Sequence, residues 1–276
     1  MDLVAAAKKQ VLIASHRGEG CGNIPGNSMP AMMAAYLHGS DILEIDLNRT
    51  KDGQLIIFHP GQERNALGFT GCVRDYTLKE IQSVLRFTNA SRAQTEWSVV
   101  TFDEVLETFK GKCFLNTDKF WDFPADIVRA IQRHGMMDQI LVKTEPKEDV
   151  LRVLEELAPD IMFMPVYHTV MGDWHENIRH RNINYVGAEL VFPTEDCESG
   201  LRETRQFLKK EGLILWANAL LYNYRKPLSA GHTDDVSVTG NPDLGWGWLC
   251  DEGFDIIQTD WTLALSQYLK KTGRRK

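Results

Sequence analysis

Short runs of β-branched and other apolar residues recur along the whole chain, and helical patterns separate most of them. The runs are VLIAS (11–15), ILEIDL (42–47), QLIIF (54–58), CFLNT (113–117), QILVK (139–143), IMFMPV (161–166), YVGAEL (185–190), LILWAN (213–218) and DIIQT (255–259). Strand and helix in alternation predict a parallel sheet with crossover helices, hence an α/β fold. Several helix ends are readable. Asn27 or Ser28 can cap the helix that Gly39 closes, and TLKE (77–80) and TFDE (101–104) fit capping boxes.

Nine runs are one too many for a (β/α)8 barrel, but one gap has no room for a helix. Between Asp46 and Gln54 lies only LNRTKDG, whose Asp52-Gly53 is a turn signal. Residues 42–49 and 54–59 should therefore form an antiparallel hairpin. Setting the return strand aside leaves eight parallel strands, the count of a closed barrel with a hairpin extension after the second strand. An open doubly wound sheet is the alternative. No Gly/Ser or Pro linker divides the 276 residues, so 1–276 reads as one catalytic barrel domain. It carries an inserted segment at about 60–110, a long loop at about 219–245 and a basic tail at 270–276.

The hairpin holds the first chemical signal. Turning about Lys51-Asp52 sets Glu44 opposite His59 and Asp46 opposite Ile57, which gathers Glu44, Asp46 and His59 on one face. Two acids two residues apart inside ILEIDL repel each other and are costly to bury unless a cation compensates. All-oxygen ligands favour Mg²⁺ or Ca²⁺ over Zn²⁺. Other strand ends add to the set: His16 and Arg17 after VLIAS, Asp118 and Lys119 after CFLNT, and Lys143 closing QILVK. Glu189, Trp216, Asn218 and Asp260 lie at later strand ends, and His168 sits just past IMFMPV. C-terminal strand ends are where barrel enzymes place their chemistry. There is no Ser-His-Asp or Cys-His signature and no glycine-rich P-loop. The mixture suits an anionic substrate held by a metal and cations, with two imidazoles exchanging protons.

Composition narrows the partners. A net charge of -7 argues against nucleic acid, and the one basic cluster, KKTGRRK, reads as a solvated, frayed tail. No apolar run approaches the roughly 20 residues of a membrane span. The opening MDLVAAAKKQVLIASH has no signal-peptide pattern, so a cytoplasmic protein is expected, with a periplasmic or secreted one open to a trimmed sequence. Five dispersed cysteines without CxxC suit a reducing compartment. Oligomeric state is not legible.

The stretch SHRGEGCGNIPGNSMPAMMAAYLHGSDILEIDLNRTKDGQLIIFHP resembles the opening of the glycerophosphodiester phosphodiesterase family. The family pattern there is HRG, a P-x-N-[ST] helix start, G-x-D-x-x-E-x-D, a T-x-D-G turn and a second histidine. TGCVRDYTLKEIQSV, LILWANAL and DEGFDIIQTDW resemble later landmarks in the family's order. The resemblance implies a TIM barrel that cleaves small-molecule glycerophosphodiesters to glycerol 3-phosphate and an alcohol. It implies His16 and His59 as general acid and base, and Glu44, Asp46 and Asp118 as ligands of one divalent cation. Arg17, Lys143 and Lys119 are the phosphate-binding candidates, and Trp216, Glu189 and His168 the substrate pocket. Three departures stand out: Pro60 follows the second histidine, Gly26 replaces a Glu, and Lys119 directly follows Asp118. Strand alternation should turn Lys119 away from the site, leaving Lys143 to supply the charge. Tyr222, Tyr224 and His232 are rim candidates if the 219–245 loop overhangs the site as a lid. Phospholipase C- or D-like barrels are the enzymatic alternative, and a noncatalytic phosphate-binding barrel is the binding alternative.

Overall fold

The computed structural model describes residues 1–221 and 226–276 of the chain. Its strands are β1 (Leu12–His16), β2 (Ile42–Arg49), β3 (Leu55–Ile57), β4 (Phe114–Asp118), β5 (Ile140–Thr144), β6 (Met162–His168), β7 (Gly187–Val191), β8 (Ile214–Asn218) and β9 (Ile256–Thr259). The order is β1-β9-β8-β7-β6-β5-β4-β2-β3, and β1 also pairs with β2. All strands but β3 therefore close into an eight-stranded parallel barrel with helices between them, and β3 hangs antiparallel on β2. This is the TIM barrel with a hairpin extension.

Side-chain alternation sorts each strand into two faces. Ile13, Leu43, Ile45, Leu115, Val142, Phe163, Leu190, Leu215 and Ile257 point outward and pack under the helices. Leu12, Ala14, Ile42, Phe114, Leu141, Met164, Ile214 and Ile256 point inward and fill the lower barrel, with Leu3 and Ala7 of the helix Leu3–Ala7 against them. Continuing up the same inward face brings His16, Glu44, Asp46, Asn116, Asp118, Lys143, Glu189, Asn218 and Gln258 to the upper, C-terminal end. The polar residues thus belong to the core face and lie one layer above the apolar filling.

Caps behave as the sequence reads. Ser28 Oγ accepts from Ala31 N ahead of the helix Met29–Leu37, and both capping boxes, Thr77/Glu80 and Thr101/Glu104, form. Between β3 and the helix Phe102–Phe109, the chain builds a satellite cluster from Ile56, Phe58, Leu67, Val73, Ile81, Phe87 and Val99. No helix among the described residues is long and apolar enough to cross a membrane.

Two expectations need correction. The segment 219–245 is not irregular throughout its described part, although its Leu228 does line the cavity at the barrel mouth. Ser229 bridges to Phe192, and the helix Asp234–Thr239 anchors the chain through buried polar groups; Tyr222 and Tyr224 lie outside the described residues. The basic tail is not frayed either. Arg275 donates to both carboxylate oxygens of Asp41 and, at 2.8 Å, to the Gly39 carbonyl, while Asp41 accepts from Ile13 N at 2.8 Å. The Arg275 side chain is nine-tenths buried and ties this segment to the start of β2. Arg275→Ala leaves Asp41 without its cation and should cost about 2 kcal/mol of unfolding free energy. Urea titration checks this, and an unchanged midpoint would return the tail to a solvated role.

Candidate active site

Alternation along β2 aims Glu44 and Asp46 into the barrel mouth, and the Cα partner of Asp46 on β4 is Asp118. One carboxylate oxygen from each lies within 4.8 Å of the others. Glu44 and Asp46 are buried, and Asp118 is partly open to solvent. The loop after β1 wraps this cluster. Gly18, at φ +75°, runs so close to the Ala31-Met32 backbone that a Cβ would sit 2.6 Å from Ala31 C, which accounts for the glycine of HRG. Arg17 donates its backbone N–H to Glu44 Oε2 at 3.0 Å, and its Nε lies 3.0 Å from Asp46 Oδ2, as an ion pair without hydrogen-bond alignment. Asn27 holds Asp46 from both sides: its Nδ2 donates to Oδ2 at 2.7 Å, and its Oδ1 accepts from Asp46 N at 3.2 Å. The sequence motif marked Asn27 only as a helix start.

Lys119 departs from expectation. It adopts left-handed backbone, φ +62°, so the strand ends at Asp118 and the alternation rule no longer applies. Its ammonium turns back onto Asp118 and lies 4.0 Å from Asp46 Oδ1. Lys143 is instead matched by Glu189, with Nζ 2.6 Å from Oε2 and 3.5 Å from the Trp216 ring centroid. Lys119 is therefore the lysine nearest the acids.

Burial, reinforced by the charge of Asp46, pushes Glu44 up to about 7. Burial acts on Asp118 in the same sense, but the charge and hydrogen bond of Lys119 outweigh it and hold Asp118 below the usual carboxylate range. A protonated Glu44 is the cation-free way to relieve the repulsion, and a divalent cation is the other. Three carboxylates with no nitrogen or sulfur donor fit a hard ion of the Mg²⁺ or Ca²⁺ kind.

The two imidazoles reach this cluster by different routes. His16 ends β1 with Glu44 as its Cα partner, and its Nδ1 lies 2.8 Å from Asp260 Oδ1 beyond β9. Burial opposes its ionisation, but the Asp260 bond and the Glu44 and Asp260 charges prevail, so its pKa is raised above 6.5. For His59 the expected register is one residue off. Leu47, not Asp46, lies opposite Ile57, and Phe58 N donates to Asp46 O at 2.9 Å. Strict alternation would then carry His59 to the far face. It does not, because β3 stops at Ile57 and the chain leaves the pleat before His59. The ring returns with Nε2 3.9 Å from Asp46 Oδ1 and Nδ1 2.8 Å from the Pro60 carbonyl. A carbonyl can only accept, so the neutral ring carries its proton on Nδ1.

A cavity of about 490 Å³ opens beside the acids, lined among others by Glu44, Asp118, Lys119, Lys143, Glu189 and Asn218. His168 stands on its rim, 3.4 Å from Glu145. Trp216, expected in the pocket, is fully buried beneath it. Its indole N–H is shared between Asn218 Oδ1 and Gln258 Oε1, at 3.3 and 3.2 Å, because this inward position lies a layer below the mouth. Asn218 in turn donates to Glu189 Oε1 at 2.6 Å. His232 is committed elsewhere, stacked on Trp248 at 3.6 Å and bonded to the Leu244 carbonyl.

Comparison with known proteins points in one direction. The sequence model described as Glycerophosphoryl diester phosphodiesterase family matches residues 16–196, and one described as a domain of unknown function matches residues 163–269. A glycerophosphodiester phosphodiesterase of Haemophilus influenzae is 34% identical over 298 aligned positions, covering 95% of this chain and 77% of its own. The crystal structure of a glycerophosphoryl diester phosphodiesterase from Parabacteroides distasonis superposes with a TM-score of 0.78 at 18% identity, over 99% of this chain and 93% of that one. An Oleispira antarctica phosphodiesterase, solved in complex with the product sn-glycerol-3-phosphate, gives 0.70 at 16% identity, over 96% and 99%.

The raised Glu44 has a thermodynamic consequence. Its folded value, about 7, exceeds its ordinary 4.5, so ionising it costs native stability as pH rises through that window. A cation bound among the acids offsets this cost. Added Mg²⁺ or Ca²⁺ should therefore raise the melting temperature more at about pH 8 than at about pH 6, and Glu44→Gln should remove the difference. Thermal melts with EDTA and with each ion check it; equal shifts at both pH values would count against binding by this cluster.

Proposed function

The chain belongs to the glycerophosphoryl diester phosphodiesterase family, and from that premise we propose that its barrel mouth hydrolyses glycerophosphodiesters to glycerol 3-phosphate and an alcohol, with His16 and His59 moving the protons. The family makes it a phosphoric diester hydrolase. The observation that carries the mechanism is that two imidazoles, each anchored through Nδ1, flank one buried acid cluster. The product bound in the Oleispira antarctica phosphodiesterase supports glycerol 3-phosphate as the released half. Mere phosphate binding would need neither a proton donor nor an acceptor, which speaks against a noncatalytic barrel.

Glu44, Asp46 and Asp118 would hold one divalent cation, which when bound supplies Lewis-acid charge against a phosphate oxygen. Arg17 and Lys119 add positive charge beside the acids, one as a planar fork and one as a point charge, and both suit a phosphodiester. Lys143, Asn218 and Gln258 line the cavity and suit the hydroxyls of the glycerol half. His59 keeps its Nδ1 proton on the Pro60 carbonyl, so Nε2 takes the proton of the attacking oxygen, either that of water or that of a neighbouring substrate hydroxyl, whose cyclic phosphate water then opens to glycerol 3-phosphate. His16, its imidazolium favoured by Asp260, returns a proton to the leaving alkoxide as the phosphorus–oxygen bond breaks.

The test is glycerol 3-phosphate release from a panel of glycerophosphodiesters after EDTA treatment, with Mg²⁺ or Ca²⁺ restored. Activity should vanish with EDTA and return with one ion, and His16→Ala or His59→Ala should lower kcat by about 10²–10⁴-fold. The alkaline limb of the pH profile should belong to His16 and lie above 6.5, and Asp260→Asn should draw it to lower pH. Full turnover by either histidine variant would sink the mechanism; turnover only on other phosphodiesters would move the substrate to a lipid head group.

A further inference from the structure

The segment between β8 and β9 carries a buried carboxylate that the mechanism above does not use. Asp234 is almost wholly inaccessible, and no lysine or arginine pairs with it among the described residues. Three donors meet it instead. Oδ1 accepts from Trp246 Nε1 and from Thr259 Oγ1, both at 2.7 Å, and Oδ2 accepts from the backbone N–H of Asp260 at 2.9 Å. Its own N–H donates to the Ala219 carbonyl at 2.7 Å, just past the end of β8.

A carboxylate buried without a cation is costly, and burial pushes Asp234 up to about 6 despite its donors. What the site gains is visible one residue along. The ladder between β9 and β1 ends at Thr259, opposite Ser15, so the strand no longer holds Asp260. Asp260 is half-exposed, yet its carboxylate must reach across to His16 Nδ1. Asp234 Oδ2 takes the place of the missing ladder bond on Asp260 N. Thr259 Oγ1, donating to Asp234 and accepting from Trp261 N at 2.9 Å, pins the turn on its other side. Asparagine has one acceptor oxygen and could not serve both the Asp260 amide and the indole–hydroxyl pair.

We infer that Asp234 is a positioning residue for His16: it fixes the Asp260 backbone so that the Asp260 carboxylate meets His16 Nδ1. The inference rests on the proton-transfer role proposed for His16. Through this link, the fold of the β8–β9 segment, including Trp246, sets how well the imidazole is aimed.

A double-mutant cycle on the cation-restored full chain tests it, with kcat and KM read for glycerol 3-phosphate release. Asp234→Asn should lower kcat about tenfold and Asp260→Asn about a hundredfold, with KM within about twofold in both. If Asp234 acts through Asp260, the double variant should be no slower than Asp260→Asn alone. Multiplying effects, or full activity of Asp234→Asn, would overturn the inference and leave Asp234 a structural group. Should Asp234→Asn fail to fold, Trp246→Phe deletes the indole donor together with part of a buried ring and enters the same cycle, with a loss of about threefold that vanishes in the Asp260→Asn background. His16→Ala separates the two levels. Its full activity would remove the underlying mechanism, whereas an inactive His16→Ala beside a fully active Asp234→Asn overturns the positioning role alone.

Discussion

Two carboxylates buried side by side repel each other, and much of the barrel mouth is arranged around that repulsion. Glu44 and Asp46 sit on the one strand that contacts β1, β3 and β4 at once, so each neighbour answers them. The loop after β1 supplies the Arg17 amide and guanidinium, the helix start supplies Asn27, and the end of β4 supplies Lys119. Three of these residues, Arg17, Asn27 and Lys119, take left-handed backbone, a conformation that side-chain-bearing residues adopt only when their surroundings compensate. They are three of the six such non-glycine residues among the described residues. Even so Glu44 stays high, because burial and the Asp46 charge outweigh these partners.

The opposite wall pairs its charges internally. Lys143 and Glu189 neutralise each other, the Trp216 ring lies under the ammonium, and Asn218 and Gln258 satisfy the remaining groups. One side of the mouth is therefore charge-balanced by its own residues, and the other gathers three carboxylates that could hold a divalent cation. That asymmetry supports the proposed reading, in which the phosphate half of a diester would lie on the acid side. The β8–β9 segment meets the residue bonded to His16 through a buried carboxylate, Asp234, that no local sequence motif announces.

The count and order of strands were legible because alternation and helix caps are local properties. ILEIDL and QLIIF could only be a hairpin, since seven residues cannot cross a barrel, and that gap yields the closed barrel's strand count. The acids at 44 and 46 were legible for the same reason, inward parity inherited from the strand, whereas Asp118 was read from its place at a strand end and from the family resemblance. Local rules failed where strands stop. His59 reaches the cluster although the pairing is shifted by one, because β3 ends before it; Lys119 enters the site although parity sends it away, because the backbone turns left-handed. Trp216 has the right parity and the wrong height, a distinction that only barrel stagger makes.

Parity, spacing and residue type, all carried by the sequence alone, determined an α/β barrel, its hairpin and a set of acids on the inward face with His16 at a strand end. The tertiary structure alone decided which lysine serves the acids, how Arg275 binds the chain's end to β2, and that Asp234 stands behind Asp260. These last are contacts between residues up to 234 positions apart, across strand ends where no periodicity constrains the chain. Their energies depend on desolvation and charge in a shared interior, and those quantities exist only once the barrel has closed.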